Sequence, residues 1–334
     1  MTLSARRFVL LVLGTSFAVA GGLALLNYVV DPYNRFGHNR LGVYISAERE
    51  SKSMQVRHYS HNALLLGNSR MAMVPADRLN GFHFFNGAFG GGTAEEAYYF
   101  AAHYATHDEL VVVGVDIGTA DPTPLQGDIF APASWNTVLN NLLNVQTVEY
   151  SVRTISEHWA GNPPSLRADG SFEPGRWFEL YDRDNPARRD WHLAEMKRSL
   201  EHFTCPARDQ MSFYVRLTDC LRQRGIVCVA MVPPLHEAVA RHLEGLQVRT
   251  AYQAWIRQLS SIFPHVVDLS FSPYGAAENF FKADPVHFKP EVGVQMINVE
   301  VIPIALEASQ RQPARSLTSF APSRETPPSP TAGH

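Results

Sequence analysis

Cysteine is scarce in this chain of 334 residues, where only Cys205, Cys220 and Cys228 occur. Three such residues make no zinc-type spacing, so no metal site is expected. Cys205 and Cys220 fall at opposite ends of a predicted helix from Pro206 to Arg224, separated by about 22 Å along its axis. A disulfide needs alpha carbons within about 7 Å, which excludes that pair if the helix is continuous. Cys228 lies in an apolar strand and reads as a small buried hydrophobe. Charge is sparse as well: 29 Lys and Arg against 32 Asp and Glu leave a net charge of -3. With no sustained basic run and no basic amphipathic helix, nucleic-acid binding is not expected. A P-loop lysine motif is missing, and the glycine cluster around Gly90 lacks the dinucleotide fingerprint, so no cofactor is expected either. There is no internal repeat.

What the chain does have is a 45% hydrophobic composition, enough for a well-buried core. It also has one long apolar run. Phe8–Val30 holds 23 residues without a charge, preceded by Arg6 and Arg7 and followed by Asp31. About 20 apolar residues suffice to cross a bilayer. The flanking arginines place residues 1–7 in the cytoplasm and everything after Asp31 outside it. The competing reading is a cleaved signal peptide, with Ala18-Val19-Ala20 as the cleavage signature. Both export the domain; the uncleaved anchor is favoured because apolar sequence continues past the would-be cut to Val30. Residues 31–62, which begin with the turn-rich Asp31-Pro32-Tyr33-Asn34-Arg35-Phe36-Gly37, read as a linker leaving the membrane. The main domain is assigned to 63–307. From Ala308 the sequence turns rich in Pro, Ser, Thr and Arg, and 308–334 reads as a disordered tail.

Within 63–307, strands are predicted at Ala63–Leu66, His83–Phe85, Leu110–Asp116, Ile226–Val232 and Val266–Leu269. They are mostly continuous apolar runs, as expected of parallel strands covered on both faces. A helix opening at Thr93-Ala94-Glu95-Glu96 carries a capping box, and further helices are predicted at Pro206–Arg224 and about Ala238–Ser260. Alternation of strand and helix implies an α/β fold, a doubly wound parallel five-stranded sheet of α/β/α type with right-handed crossovers. The stretch 121–204 interrupts the rhythm and contains Trp135, Trp159, Trp177 and Trp191, four of the five tryptophans. It reads either as a subdomain whose tryptophans fill their own small core or as an insertion over a site, with tryptophan suited to stacking on sugar rings.

Two short stretches carry the chemistry. Gly67-Asn68-Ser69-Arg70 directly follows the first predicted strand, which puts the Ser69 hydroxyl at the carboxyl end of that strand, where open α/β sheets bind ligands. Asp284-Pro285-Val286-His287 lies far downstream, with carboxylate and imidazole three residues apart. On a single turn that spacing lets Asp284 orient His287 and leaves the other ring nitrogen to face Ser69. Taken singly, Ser69 also fits a helix cap, Asp284 a cap before Pro285, and His287 an ordinary surface or core histidine. His236, after Met231-Val232-Pro233-Pro234-Leu235, lies on the ligand side of the sheet and is held as a substrate contact. Asn68, Arg70 and Asp116 are further possible contacts. His103 and His107, four apart with no third ligand, read as a solvated helix face.

The blocks Gly67-Asn68-Ser69 and Asp284 to His287 resemble the first and last blocks of the SGNH (GDSL-like) hydrolase superfamily. Asn86-Gly87-Ala88-Phe89-Gly90-Gly91-Gly92 resembles the block that supplies an oxyanion-hole amide, assigned to Gly90. A fourth block departs: where the family has G-x-N-D, this chain has Gly114-Val115-Asp116-Ile117. An ionised Asp116 would repel an oxyanion, so either another donor serves, or Asp116 stays protonated, or this branch does different work. The anchor, the early serine block and the late D-x-x-H block are similar to membrane-anchored members acting in polymer acylation, the D-alanyl transfer protein of teichoic acid modification and the alginate O-acetyltransferase accessory proteins. The resemblance implies a single-pass protein of the bacterial inner membrane with its domain in the periplasm. It further implies a membrane-bound O-acyltransferase as partner and a cell-envelope polysaccharide as acceptor. Ser69 would carry the acyl group, His287 would shuttle the proton, Asp284 would orient His287, and the amides of Ser69 and Gly90 would hold the oxyanion. An exported esterase or deacetylase, and a noncatalytic glycan-binding or scaffold module on the same fold, are the alternatives.

Overall fold

The structure is a computed structural model, and it describes residues 4–45, 47–117, 126–131, 135–173, 175, 182–201, 203, 208–244 and 248–311. Helix α1 (Ala5–Val30) is long and apolar enough to cross a membrane and ends at Asp31 in a left-handed conformation. The segment 31–62, expected to be a linker, is instead built into the domain. It forms α2 (Glu48–Gln55), in which Ser51, Lys52, Ser53, Met54 and Gln55 are buried. A lysine with an acceptor inside the protein can be buried where composition alone reads as a solvated turn.

The core is a five-stranded, all-parallel sheet in the order β2-β1-β3-β4-β5. Its strands are β1 (Ala63–Leu66), β2 (Phe84–Asn86), β3 (Leu110–Gly114), β4 (Val227–Val232) and β5 (His265–Asp268). Between the first three strands lie α3 (Ser69–Ala72) and α4 (Ala94–Tyr104). The capping box of α4 forms as predicted, with the Thr93 hydroxyl accepting from the Glu96 amide and the Glu96 carboxylate accepting from the Thr93 amide. Strands β1, β2, β3 and β4 are fully buried, and alternate residues feed two cores. Ala63, Leu65, Leu110, Val112 and Val229 face one; Leu64, Leu66, Val111, Val113 and Ala230 face the other. Coverage of both faces explains why these strands read as unbroken apolar runs. The strand order reverses between β1 and β3, which sets a crevice at the carboxyl end of β1.

The stretch 121–204 contributes α5 (Trp135–Leu143), α6 (Val145–Trp159) and α7 (Pro186–Glu201). It is not detached from the core. The Asn86 amide at the end of β2 donates to the Asp169 carbonyl (2.7 Å), and the Phe172 amide donates to the Ala72 carbonyl (2.8 Å), so the chain around 169–172 covers the outer end of β2 and the end of α3. Trp159 and Trp191 are 82% and 60% exposed, so neither fills a private core; Trp177 and the Trp135 side chain lie outside what is described.

Next come α8 (Arg208–Gln223), α9 (Glu237–Glu244) and α10 (Val248–Ile262). The stretch expected to be one helix, Ala238–Ser260, is described as helix over Glu237–Glu244 and Val248–Ile262, with 245–247 outside the described residues. Beyond β5, a two-stranded antiparallel hairpin pairs β6 (Phe280–Phe281) with β7 (Asp284–Phe288). The chain closes with α11 (Pro290–Met296), a wide π turn at Ile297–Val301 and α12 (Ile302–Arg311). Pro303 has no amide to donate four residues back, which accounts for the wide turn just before it. Although long and apolar, this last run buries Val292, Met296, Ile297, Val301, Ile302 and Ala305 in the core. Ala308–Arg311, assigned to a disordered tail, is the end of α12; 312–334 lies outside the described residues.

Candidate active site

Ser69 stands where the sequence puts it, as the first residue of α3 after β1. The turn between them requires glycine. Gly67 has φ +140°, and a Cβ there would meet the Gly114 carbonyl oxygen at 2.9 Å and Met71 Cγ at 2.9 Å. Asn68 caps α3, its side chain accepting from the Arg70 amide at 3.1 Å. Asn68 is thus spent on holding the turn.

His287 arrives from β7, with Nε2 2.8 Å from Ser69 Oγ and Nδ1 2.7 Å from Asp284 Oδ2. The carboxylate accepts, so the Nδ1 proton belongs between ring and Asp284, and the Nε2 lone pair faces the hydroxyl. The local geometry is not the single helical turn that the spacing suggested. The segment is a strand in which Asp284 Oδ1 accepts the amides of Val286 (3.0 Å) and His287 (3.3 Å), a side-chain turn that folds carboxylate and ring together. Asp284 is buried. Burial alone would push its carboxyl up, but the hydrogen bond and charge of His287, the Val286 amide and the charge of His192 outweigh burial and hold it below its ordinary value. His192 comes from α7, which packs against β7.

Arg70 and Asp116 answer to each other. Arg70 Nη1 lies 2.7 Å from Asp116 Oδ2, Nη2 donates to the Pro234 carbonyl, and Cζ sits 5.4 Å from the Phe288 ring. Both side chains are buried. The guanidinium therefore ties the helix that begins at Ser69 to the ends of β3 and β4 and to the strand carrying His287. The carboxylate expected beside Ser69 is drawn to the arginine of the next residue, which offsets the charge that would repel an oxyanion. His236 is likewise turned to structure. Its Nδ1 accepts from the Ala238 amide (3.2 Å) at the start of α9, and its ring packs edge-on against Phe280 at 5.1 Å. Burial lowers its pKa. No described contact joins it to Ser69.

The glycine-rich turn is the largest departure. Gly92 lies against the serine turn, since a Cβ on it would meet the Gly67 carbonyl oxygen at 2.4 Å, and the Phe89 amide donates to that same carbonyl at 3.1 Å. The Gly90 amide, assigned to an oxyanion hole, donates instead to Glu48 Oε2 at 2.7 Å. Three residues of α2 grip this turn. Besides Glu48, Arg49 donates to the Gly90 carbonyl at 3.1 Å while pairing with Glu96, and Lys52 Nζ donates to the Ala88 carbonyl. Lys52 is fully buried, 4.8 Å from the Phe172 ring centre. Burial brings its pKa down to about 7 against the opposing charges of Glu48 and Asp169. Sequence reasoning missed these three residues and also Asn86. The Asn86 side chain donates to the Met71 and Val74 carbonyls (2.9 Å each) and accepts from the Ala88 amide (3.0 Å), joining α3 to the glycine turn. A polar residue ending an apolar strand was the one available signal for Asn86; a side chain acting over forty residues leaves none.

His103 pairs with Asp128 (2.7 Å), and no group of three or more His, Cys, Asp or Glu that could hold a metal occurs among the described residues. No protein-family model matches the chain, and no curated protein matches it.

Proposed function

We propose that this chain is a serine acyltransferase of SGNH type, built on a doubly wound sheet and held by α1 at the extracytoplasmic face of a membrane. The observation that carries the reading is the continuous chain Ser69 Oγ, His287 Nε2, His287 Nδ1, Asp284 Oδ2, with steps of 2.8 and 2.7 Å, at the crevice where the strand order reverses.

In the proposed reaction, Ser69 Oγ attacks the carbonyl carbon of a donor acyl group as His287 Nε2 takes the hydroxyl proton. The tetrahedral oxyanion is held by the Ser69 amide, which has no intrahelical acceptor at the start of α3, and by the Gly90 amide once Glu48 has withdrawn. Collapse expels the donor's leaving group with the proton from His287, leaving an ester on Ser69. An acceptor hydroxyl then gives its proton to His287 and attacks the ester, regenerating Ser69. Asp284 stabilises the imidazolium in both halves.

A carbohydrate hydroxyl on a cell-envelope polysaccharide is the proposed acceptor, and a membrane-bound O-acyltransferase the proposed donor partner; both come from the family resemblance. Exposed Trp191 on α7, beside His192 and the strand bearing His287, is available to stack on a sugar ring. Incubating the full chain with an acetyl ester and an acceptor glycan tests the reading. Acyl transfer to the glycan supports it, acetate release without labelled glycan converts it to an esterase, and neither product leaves the scaffold reading.

A further inference from the structure

Helix α6 is amphipathic in an inverted sense. Its face toward the rest of the protein is made of Thr147, Ser151 and Thr154, all buried. Val145, Val148, Val152, Ile155 and Trp159, spaced three and four apart, form one apolar stripe along the helix, half-buried at Val148 and Ile155, while Tyr150 packs on the core. Val145, Val152 and Trp159 are 79%, 55% and 82% exposed. A row of charge, Glu149, Arg153 and Glu157, runs along a separate side of the helix. Small polar residues inward and branched apolar residues outward is the arrangement found where the surrounding medium is lipid.

The depth of this helix follows from α1. Asn27 of α1 is buried and donates to the Leu142 carbonyl of α5 at 2.9 Å, and its Oδ1 accepts from the Ser151 hydroxyl of α6 at 2.8 Å. Asn27 lies nineteen residues after Phe8, so at 1.5 Å per residue the two are about 28 Å apart, close to the thickness of the hydrocarbon layer. If Phe8 marks one boundary of the membrane, Asn27 marks the other, and both helices bonded to it lie there. The sequence agrees: from Ile129 to Val148 no charged residue occurs. Leu139 and Leu143 of α5 add further exposed apolar surface beside the stripe.

We propose that α6 is a second membrane-contacting element, lying in the outer interface with its Val145 to Trp159 stripe against lipid and its Glu149, Arg153 and Glu157 row toward water. A helix of this kind buries its apolar side roughly 5–10 Å into the headgroup and acyl boundary, and tryptophan is favoured at that level. Such seating would fix the height and tilt of the domain above the membrane. The inference rests on the membrane-spanning reading of α1, and the experiment separates the two.

Full-length protein with Cys205→Ser, Cys220→Ser and Cys228→Ala replacements is reconstituted in lipid nanodiscs, with one added cysteine labelled by an environment-sensitive fluorophore. The labelled variants are Leu13→Cys in α1, Val152→Cys on the stripe and Arg153→Cys on the charged row. The expected result is quenching of Leu13→Cys and Val152→Cys by spin-labelled lipids, and quenching of Arg153→Cys by aqueous iodide. The inference is overturned, with α1 still spanning, if Val152→Cys follows Arg153→Cys while Leu13→Cys stays lipid-quenched. Protection of Val152→Cys from both quenchers overturns it in favour of a second copy covering the stripe. Aqueous quenching of Leu13→Cys overturns the anchor itself and this inference with it.

Discussion

The two sides of the proposed catalytic crevice differ in state. On one side, Ser69, His287 and Asp284 are already in hydrogen-bond contact, backed by the Arg70–Asp116 pair. On the other, the amide at Gly90 is occupied by a carboxylate of the protein itself. The proposed nucleophile and base are in contact in this structure, whereas the proposed second oxyanion donor, the Gly90 amide, requires α2 to give way. A carboxylate is anionic like the proposed oxyanion, so Glu48 binds the amide for the same reason the proposed reaction would need it. The helix that carries Glu48 is the next one after α1 in the chain, so in the proposed reading access to the Gly90 amide is set by the segment that follows the anchor.

Breaking the assembled side gives the largest expected effects. Ser69→Ala and His287→Ala are expected to remove acyl-enzyme formation, seen as a loss of at least about 10³-fold in fluorophosphonate labelling rate, and Asp284→Asn to slow it by about 10³- to 10⁴-fold with the fold unchanged. Labelling of Asp284→Asn at the unaltered rate would show that the carboxylate plays no part. Next in size is the clamp behind the triad. Arg70→Met removes the guanidinium from the buried Asp116 carboxylate and is expected to cost about 3–5 kcal/mol in urea unfolding, while Arg70→Met with Asp116→Leu costs clearly less. Equal losses in the single and double variants would mean that the pair is not a unit.

Much of the assembled side was legible in the sequence. Continuous apolar runs marked the buried strands, Gly67-Asn68-Ser69 marked the turn, and the D-x-x-H spacing brought carboxylate and imidazole together even though the segment is a strand with a side-chain turn and not a helix. The occupied side was hidden. Glu48, Arg49 and Lys52 sit in a polar stretch that reads as a solvated linker, and their partners on the glycine turn are some forty residues away, a separation no local pattern encodes. Asp116 was visible as a departure from the corresponding block of the family the sequence resembles, but its pairing with Arg70 is a tertiary fact.

Smaller effects sharpen the occupied side. Glu48→Gln removes the anion from the Gly90 amide and is expected to raise the fluorophosphonate labelling rate by about 10-fold, less than the 10²- to 10³-fold attributed to a whole oxyanion donor because glutamine still accepts a hydrogen bond. An unaltered rate would detach Gly90 from the reaction. Lys52 gives a pH signature. Its folded pKa of about 7 lies below its ordinary 10.5, so above pH 7 the unfolded chain binds the extra proton and this group makes stability rise with pH. Between pH 7 and 9 the gain is at most about 1.4 kcal/mol per unit. Wild type minus Lys52→Met, followed by urea unfolding, is expected to show that rise, and a flat difference would contradict a deprotonating Lys52.

The most direct measurement on the central claim is intact-mass analysis of the full-length protein after treatment with a fluorophosphonate, followed by peptide mapping. An activated Ser69 predicts a single adduct on Ser69 that disappears in Ser69→Ala and in His287→Ala. An unmodified wild-type protein, or an adduct that persists in Ser69→Ala, would contradict it.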